Sequence, residues 1–230
     1  MKPVVILSPH LDDAVFSCWH ALHIPNVIVI TIFAGIPGNT SKTLWDRICG
    51  EPSSAKMMSR RLRENEAVFC DLQVTSYTFE YLDRQYSSKF VDVQEVAKSV
   101  LAKVSVEALY LAPLAGSLLW RHPNHIFVRE VGKLLATQGN EVAFYADIPY
   151  MQMPLRSSAE YKKQMARRGS KYLGSPTEVE IIELSLEDQA LKHNAMRQYR
   201  TQYKMTNLAC FGALGRKANV QREVVFHGAS

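Results

Sequence analysis

The chain has 230 residues, of which 47% are hydrophobic, 21% charged and 10% aromatic. That length supports one sizeable core, and 11 Gly and 10 Pro are ordinary usage, which excludes low-complexity disorder and collagen-like repetition. Lys and Arg number 27 against 22 Asp and Glu, a formal net charge of +5 at pH 7 that suits an anionic or phosphorylated ligand without requiring nucleic acid.

At the amino terminus the only apolar run, residues 3–7, is too short for a secretory core before His10, Asp12 and Asp13 intervene, so no export signal is expected. The uncharged stretch at residues 108–120 falls short of the roughly 20 apolar residues a membrane span needs, and Pro113 and Gly116 interrupt it. Its end, Leu118-Leu119-Trp120, precedes His122 and leaves peripheral membrane contact or an apolar aglycone open beside a plain buried reading. Cys18, Cys49, Cys70 and Cys210 form no C-x-x-C pair, so neither a disulfide framework nor a cysteine zinc site is written in, and a reducing cytoplasm is expected.

In chain order, residues 4–7 read as a buried strand, a helix starts at about Asp12, and residues 27–33 read as a second strand, together a buried βαβ unit. Residues 40–57 lack a clear period and read as a long loop with a short helix around Trp45; loops of that length are usually functional. A helix at 60–72, a strand at 75–79, an amphipathic helix at 91–104 and a strand at 108–111 follow. After a loop through Asn124 come a helix at 126–136, strands at 142–145 and 179–184, and a closing helix at 186–199. The basic stretch 157–176, with Lys162, Lys163, Arg167, Arg168 and Lys171, reads as a solvated face. The alternation predicts a single α/β domain over residues 1–230, a Rossmann-like three-layer sandwich with a mostly parallel sheet, right-handed crossovers and ligands at the carboxyl ends of strands. Neither G-x-G-x-x-G nor G-x-x-x-x-G-K-[ST] is present, so a nucleotide role lacks its usual support.

Directly after the first strand comes Ser8-Pro9-His10-Leu11-Asp12-Asp13-Ala14-Val15, an imidazole and two carboxylates within four positions of a strand-to-helix turn. After the strand at 108–111 comes Arg121-His122-Pro123-Asn124-His125, again just before a helix. If those strands are neighbours, His10, one of the two Asp residues and one of the two His residues make a three-ligand site for a divalent ion with an open position for water. The other Asp is then free to take a proton. The competing structural reading makes Asp12 a helix N-cap, Asp13 a partner of the helix dipole and each histidine a packed core residue.

These residues resemble the PIG-L/LmbE-like superfamily of metal-dependent N-deacetylases, in the branch whose first motif reads H-x-D-D-A. The likeness rests on residues 8–15, Phe33-Ala34-Gly35, Arg61 with Glu64, Asp83 with Tyr86, His122-Pro123-Asn124-His125 followed by Val128-Arg129-Glu130, and Tyr145-Ala146-Asp147-Ile148-Pro149-Tyr150. It implies that His10, Asp13 and His125 bind zinc, or another divalent ion such as Fe²⁺. It implies further that Asp12 is the general base and that His122 protonates the leaving amine or stabilises the oxyanion. Arg61 and Asp83 match positions that face the sugar, and the resemblance implies an N-acetylglucosamine-type sugar or glycoconjugate as the small-molecule substrate, cleaved to acetate and a free amine.

Two departures stand out. Asn124 occupies the place of the usual Asp, where a neutral amide next to His122 would stabilise an imidazolium less, and Trp120 occupies the place of a Tyr that polarises the amide carbonyl, with Arg121 a candidate substitute at the substrate. Another amide substrate, such as a cysteine conjugate or an acylated antibiotic precursor, and a non-catalytic glycan-binding domain are the alternatives that the sequence leaves open. Oligomeric state is not encoded legibly.

Overall fold

The computed structural model describes residues 2–38, 41–89, 91–115, 122–148, 150–151 and 159–228. Strand β1 (Val4–Ser8) is buried along its whole length. Successive side chains of a strand point to opposite faces, so a continuous apolar run marks a strand covered on both sides. Accordingly Val5 and Leu7 enter one apolar layer and Val4 and Ile6 the other.

The chain continues through α1 (Asp13–Ser17), β2 (Ile28–Thr31), α2 (Leu44–Ile48), α3 (Ser54–Asp71), β3 (Thr75–Thr78), α4 (Val93–Lys103), β4 (Leu109–Pro113), α5 (Pro123–Thr137) and β5 (Glu141–Tyr145). It then forms α6 (Ala159–Leu173), β6 (Thr177–Glu183), α7 (Leu186–Gln198), α8 (Tyr203–Ala209), α9 (Lys217–Gln221) and β7 (Arg222–Gly228). The strands make one sheet in the order β3-β2-β1-β4-β5-β7-β6. The first five are parallel, and β7 runs antiparallel to both of its neighbours. Apolar residues of α4, α5 and α6 cover one face and those of α1, α3 and α7 the other, which is the expected three-layer α/β fold.

The structure differs from the sequence reading in three places. The short helix expected around Trp45 is α2, capped by Thr43, whose hydroxyl accepts from the Asp46 amide, but the end of the expected loop is already helix: α3 starts at Ser54 and not near residue 60, because Ser53 caps it by accepting from the Lys56 amide. The chain does not close on α7, for α8, α9 and β7 follow. The apolar run of β7, Val224-Val225-Phe226, is only three residues between Glu223 and His227, too short for its periodicity to stand out. The basic stretch is helix α6, which buries Tyr161, Met165 and Gly169 at four-residue spacing and leaves Lys162, Lys163, Arg167 and Lys171 exposed, as a solvated face requires. Gly169 permits this packing, since a Cβ there would lie 2.8 Å from both Phe226 and Thr177 side chains. Among the described residues, no helix is long and apolar enough to cross a membrane.

The late strand is tied to the first βα unit by a buried charge pair. Lys192 of α7 donates to Glu223 of β7 at 2.7 Å, and the same carboxylate accepts from the Trp19 amide at 2.6 Å and the His20 amide at 2.9 Å. Both side chains are almost fully buried, at 0% and 3%. Removing one partner strands the other charge without water, so Glu223→Gln is expected to cost about 3–5 kcal/mol of unfolding free energy. Urea unfolding of the variant beside the parent chain checks this.

Candidate metal centre and active-site pocket

Strands β1 and β4 are parallel neighbours, with Val4 opposite Leu109 and Ile6 opposite Leu111. The chain builds β2 and β3 on one side of β1 and β4 and β5 on the other, so the β1 and β4 exits flank a topological switch point, where such sheets open a crevice. The β1 turn is cross-tied: Ser8 Oγ donates to the His10 carbonyl at 2.6 Å and accepts from the Ala14 amide at 3.1 Å, while Asp13 Oδ2 accepts from the His10 amide at 2.8 Å. Asp12 is the N-cap residue of α1 but its side chain makes no capping bond, so its carboxylate is not spent on the helix. On the facing turn His122 is the N-cap of α5 and Pro123 its first residue, where the missing N–H of proline costs nothing.

These two turns bring together three imidazoles, those of His10, His122 and His125, whose candidate ligand atoms all lie within 4.8 Å of one another. Their ring centroids are 4.7 Å apart for His10 and His122 and 5.2 Å for each of the other pairs. Asp13 sits among them: its Oδ2 lies 3.1 Å from His10 Nδ1 and 3.3 Å from His125 Nε2. Behind His125, Asp147 Oδ2 is 2.9 Å from Nδ1 and Asp147 Oδ1 accepts from the Ala115 amide at 2.9 Å. Asp147 therefore fixes the ring with its Nε2 facing the crevice, the carboxylate–histidine arrangement that supports a metal ligand.

Burial and mutual charge set the protonation of the group. For His125, burial acts downward, but Asp13 and Asp147 outweigh it and hold the imidazole up at about 10. His10 is raised likewise: burial opposes, Asp13 and Asp83 prevail. His122 has no such partner, and burial together with the charges of His10 and His125 pushes it down to about 2, so it is a neutral imidazole. Burial would raise Asp13, yet His125 and His10 hold it well below the ordinary carboxylate range. Asp12 is raised by burial and by Asp13, against the pull of Arg61 and His10.

The donor set fits a divalent cation. His122 Nδ1 is buried and makes no hydrogen bond among the described residues, and His125 Nε2, equally buried, meets only the Asp13 carboxylate at 3.3 Å. A buried group without a partner costs about 1–3 kcal/mol, and an ion is the partner that a cluster of imidazoles and a carboxylate suits.

The cluster floors a cavity of about 340 Å³. Asp12, Arg61, Asp83 and His122 line it, whereas Arg121 and Trp120 lie outside the described residues. Arg61 is buried, with Nη2 3.7 Å from Asp12 Oδ1. Asp83 Oδ2 is 3.3 Å from His10 Nε2; burial raises this carboxyl, but the His10 bond outweighs it and holds it well below its ordinary range. Gly35 makes that reach available: its amide donates to Tyr81 at 3.0 Å, and a Cβ on it would stand 2.3 Å from the Glu80 carbonyl oxygen, so only glycine lets the loop carrying Asp83 lie this close. Asn124 corrects one expectation. Its Nδ2 lies 2.9 Å from His10 Nε2, so the amide sits against His10 and not His122, because the first turn of α5 points it back across the crevice to β1.

In the motif at residues 145–150, which the family resemblance singled out after a strand, Asp147 stands behind His125 and Tyr150 lines the cavity; burial pushes the Tyr150 phenol far above its usual range, so it carries its proton. Two further lining residues had no role in the sequence reading. Trp45 of α2 and Gln202, the N-cap of α8, close the other wall, joined by the Trp45 Nε1 donation to Gln202 Oε1 at 3.2 Å. Nothing in the local pattern of residues 200–210 marks them as a pocket wall, since they reach it only through the late helices.

The class of protein follows. The PIG-L family model, described as GlcNAc-PI de-N-acetylase, matches residues 5–136, more than half of the chain, and the chain belongs to that family. No curated protein sequence matches it. Among solved structures it is similar to the zinc-inhibited form of teicoplanin deacetylase Orf2, with 20% identity, TM-score 0.73 and coverage of 98% of this chain and 97% of that one. It is likewise similar to the A40926 pseudoaglycone deacetylase Dbv21, with 22% identity, TM-score 0.72 and coverage of 99% and 98%. The N,N'-diacetylchitobiose deacetylase from Pyrococcus horikoshii aligns over 87% of this chain and 70% of its own, with 18% identity and TM-score 0.54. At these identities the likenesses establish a shared fold.

Two outcomes are expected. Asp147→Asn removes the anchor of His125 and is expected to weaken divalent-ion affinity about 10- to 100-fold, measured by competition with a chelating dye. In the metal-free chain the raised His125 pKa contributes stability that is complete below its unfolded value of about 6.5 and lost as pH rises through about 10. Ion uptake must displace that proton, so binding releases protons and tightens from pH 6 to 9; calorimetry in buffers of different ionisation enthalpy reads this directly.

Proposed function

We propose that the chain is a zinc-dependent N-deacetylase that removes the acetyl group from an N-acetylglucosamine-type sugar or glycoconjugate, yielding acetate and a free amine. Membership of the PIG-L family supports hydrolytic N-deacetylation. The observation that carries the reading is a buried carboxylate with no helix-capping bond, Asp12, which faces Arg61 and lines the cavity beside a cluster of three imidazoles and Asp13.

In this reading His10, Asp13 and His125 hold the ion, which supplies Lewis acidity toward the acyl oxygen and the attacking water. The remaining work belongs to the chain. Asp12 accepts a proton from water; burial and the neighbouring Asp13 raise its affinity for that proton, while Arg61, 3.7 Å away, limits the rise. The departing nitrogen needs one proton in return. His122 enters as a neutral imidazole, with one nitrogen that accepts a proton and one that gives it, so it relays the proton to the amine. Arg61, Asp83 and the neighbouring Gln85 present charged and amide groups from the cavity wall to the hydroxyls of a sugar.

Asp12→Asn is expected to lower acetate release about 10²- to 10⁴-fold while leaving one divalent ion bound per chain. Acetate release from N-acetyl sugars, with metal analysis of the same preparation, checks both parts. A rate within about threefold of the parent, or loss of the ion, contradicts the assignment.

A further inference from the structure

Amide hydrolysis places negative charge on the acyl oxygen, and a site that accelerates it needs a hydrogen-bond donor aimed at that oxygen. Most donors around the cavity are engaged. Arg61 faces Asp12, Gln85 Nε2 donates to Asp83 at 3.3 Å, Trp45 donates to Gln202, and Gln202 Nε2 donates to the Thr201 carbonyl at 3.1 Å. Others are not: Arg61 Nε and His122 Nδ1 make no hydrogen bond among the described residues, and neither does the hydroxyl of Tyr150, a lining residue whose ring stands against His125 and His122.

Its position is tied to the metal cluster. The Tyr150 ring stands edge-on to His125, centroids 4.8 Å apart at 73°, and lies 5.7 Å from His122. It rides on the turn after β5 in which the Met151 amide donates to the Asp147 carbonyl at 2.7 Å, and the Asp147 side chain holds both His125 and the Ala115 amide. One turn therefore sets the orientation of His125 and the place of the phenol together, the preorganisation that makes a donor effective.

We propose that Tyr150 is a catalytic residue whose hydroxyl donates a hydrogen bond to the acyl oxygen as the tetrahedral intermediate forms. No covalent bond to the protein is involved: the phenol keeps its proton throughout, and the oxygen returns to a carbonyl when the amine leaves. This rests on the deacetylase reading and assigns it a group that the two histidine motifs do not contain.

The test compares Tyr150→Phe with the parent, both loaded with zinc. Phenylalanine retains the ring packing on His125, so melting temperature and zinc stoichiometry are expected to stay the same. The turnover number kcat is expected to fall about 10²-fold with KM within about twofold. Affinity for a tetrahedral phosphonate analogue of the substrate is expected to fall by a comparable factor, and affinity for the free-amine product to hold. A structural role would move both affinities together. Parental turnover in the variant, or equal loss of analogue and product binding, overturns the role of Tyr150 and leaves the deacetylase reading standing. Absence of acetate release from the parent on every N-acetyl sugar overturns both.

Discussion

Asp13 is the residue on which the site turns. One carboxylate oxygen accepts the His10 amide, faces His10 Nδ1 at 3.1 Å and faces His125 Nε2 at 3.3 Å, so it closes the β1 turn and joins it to α5 across the sheet. A buried anion of this kind is tolerated only with cationic or hydrogen-bonding partners, and the two raised histidines supply them. The remaining groups take their protonation from this pairing. His122, excluded from it, is left neutral, and Asp12, next in sequence, is raised by the same buried charge.

Charge density also explains Asn124. The crevice already holds the carboxylates of Asp12, Asp13, Asp83 and Asp147, each nearly buried. A further carboxylate at position 124 would lie against His10 beside Asp13 and Asp83, whereas an amide contacts His10 at 2.9 Å without adding like charge. The departure from the family pattern is thus consistent with a working site whose first histidine is already served by Asp83.

Local pattern made much of this legible. The apolar runs of β1, β2 and β4 and the short motifs at their exits located the crevice, because a strand buried on both faces leaves an unbroken apolar signature and a parallel sheet puts its ligands at strand ends. The far wall was not legible. Trp45, Gln202 and Cys210 reach the cavity through α2 and α8, short helices whose placement depends on long-range contacts such as the Trp45–Gln202 bond. Strand β7 was hidden for a related reason, since its place between β5 and β6 is fixed by the Lys192–Glu223 pair and the backbone of Trp19 and His20, far away in sequence. The direction of the Asn124 side chain follows from the helix phase of α5 and not from its nearness to His122 in the chain.

The most direct measurement of the central claim, that the buried cluster is a metal centre built on Asp13, is X-ray absorption spectroscopy at the zinc edge on the protein loaded with one equivalent of the ion. A first shell of nitrogen and oxygen at about 2.0–2.1 Å with two imidazole scattering patterns is the predicted result. The Asp13→Ala chain should lose that shell. A parent spectrum showing sulfur at about 2.3 Å, or no protein-derived shell, would contradict the claim.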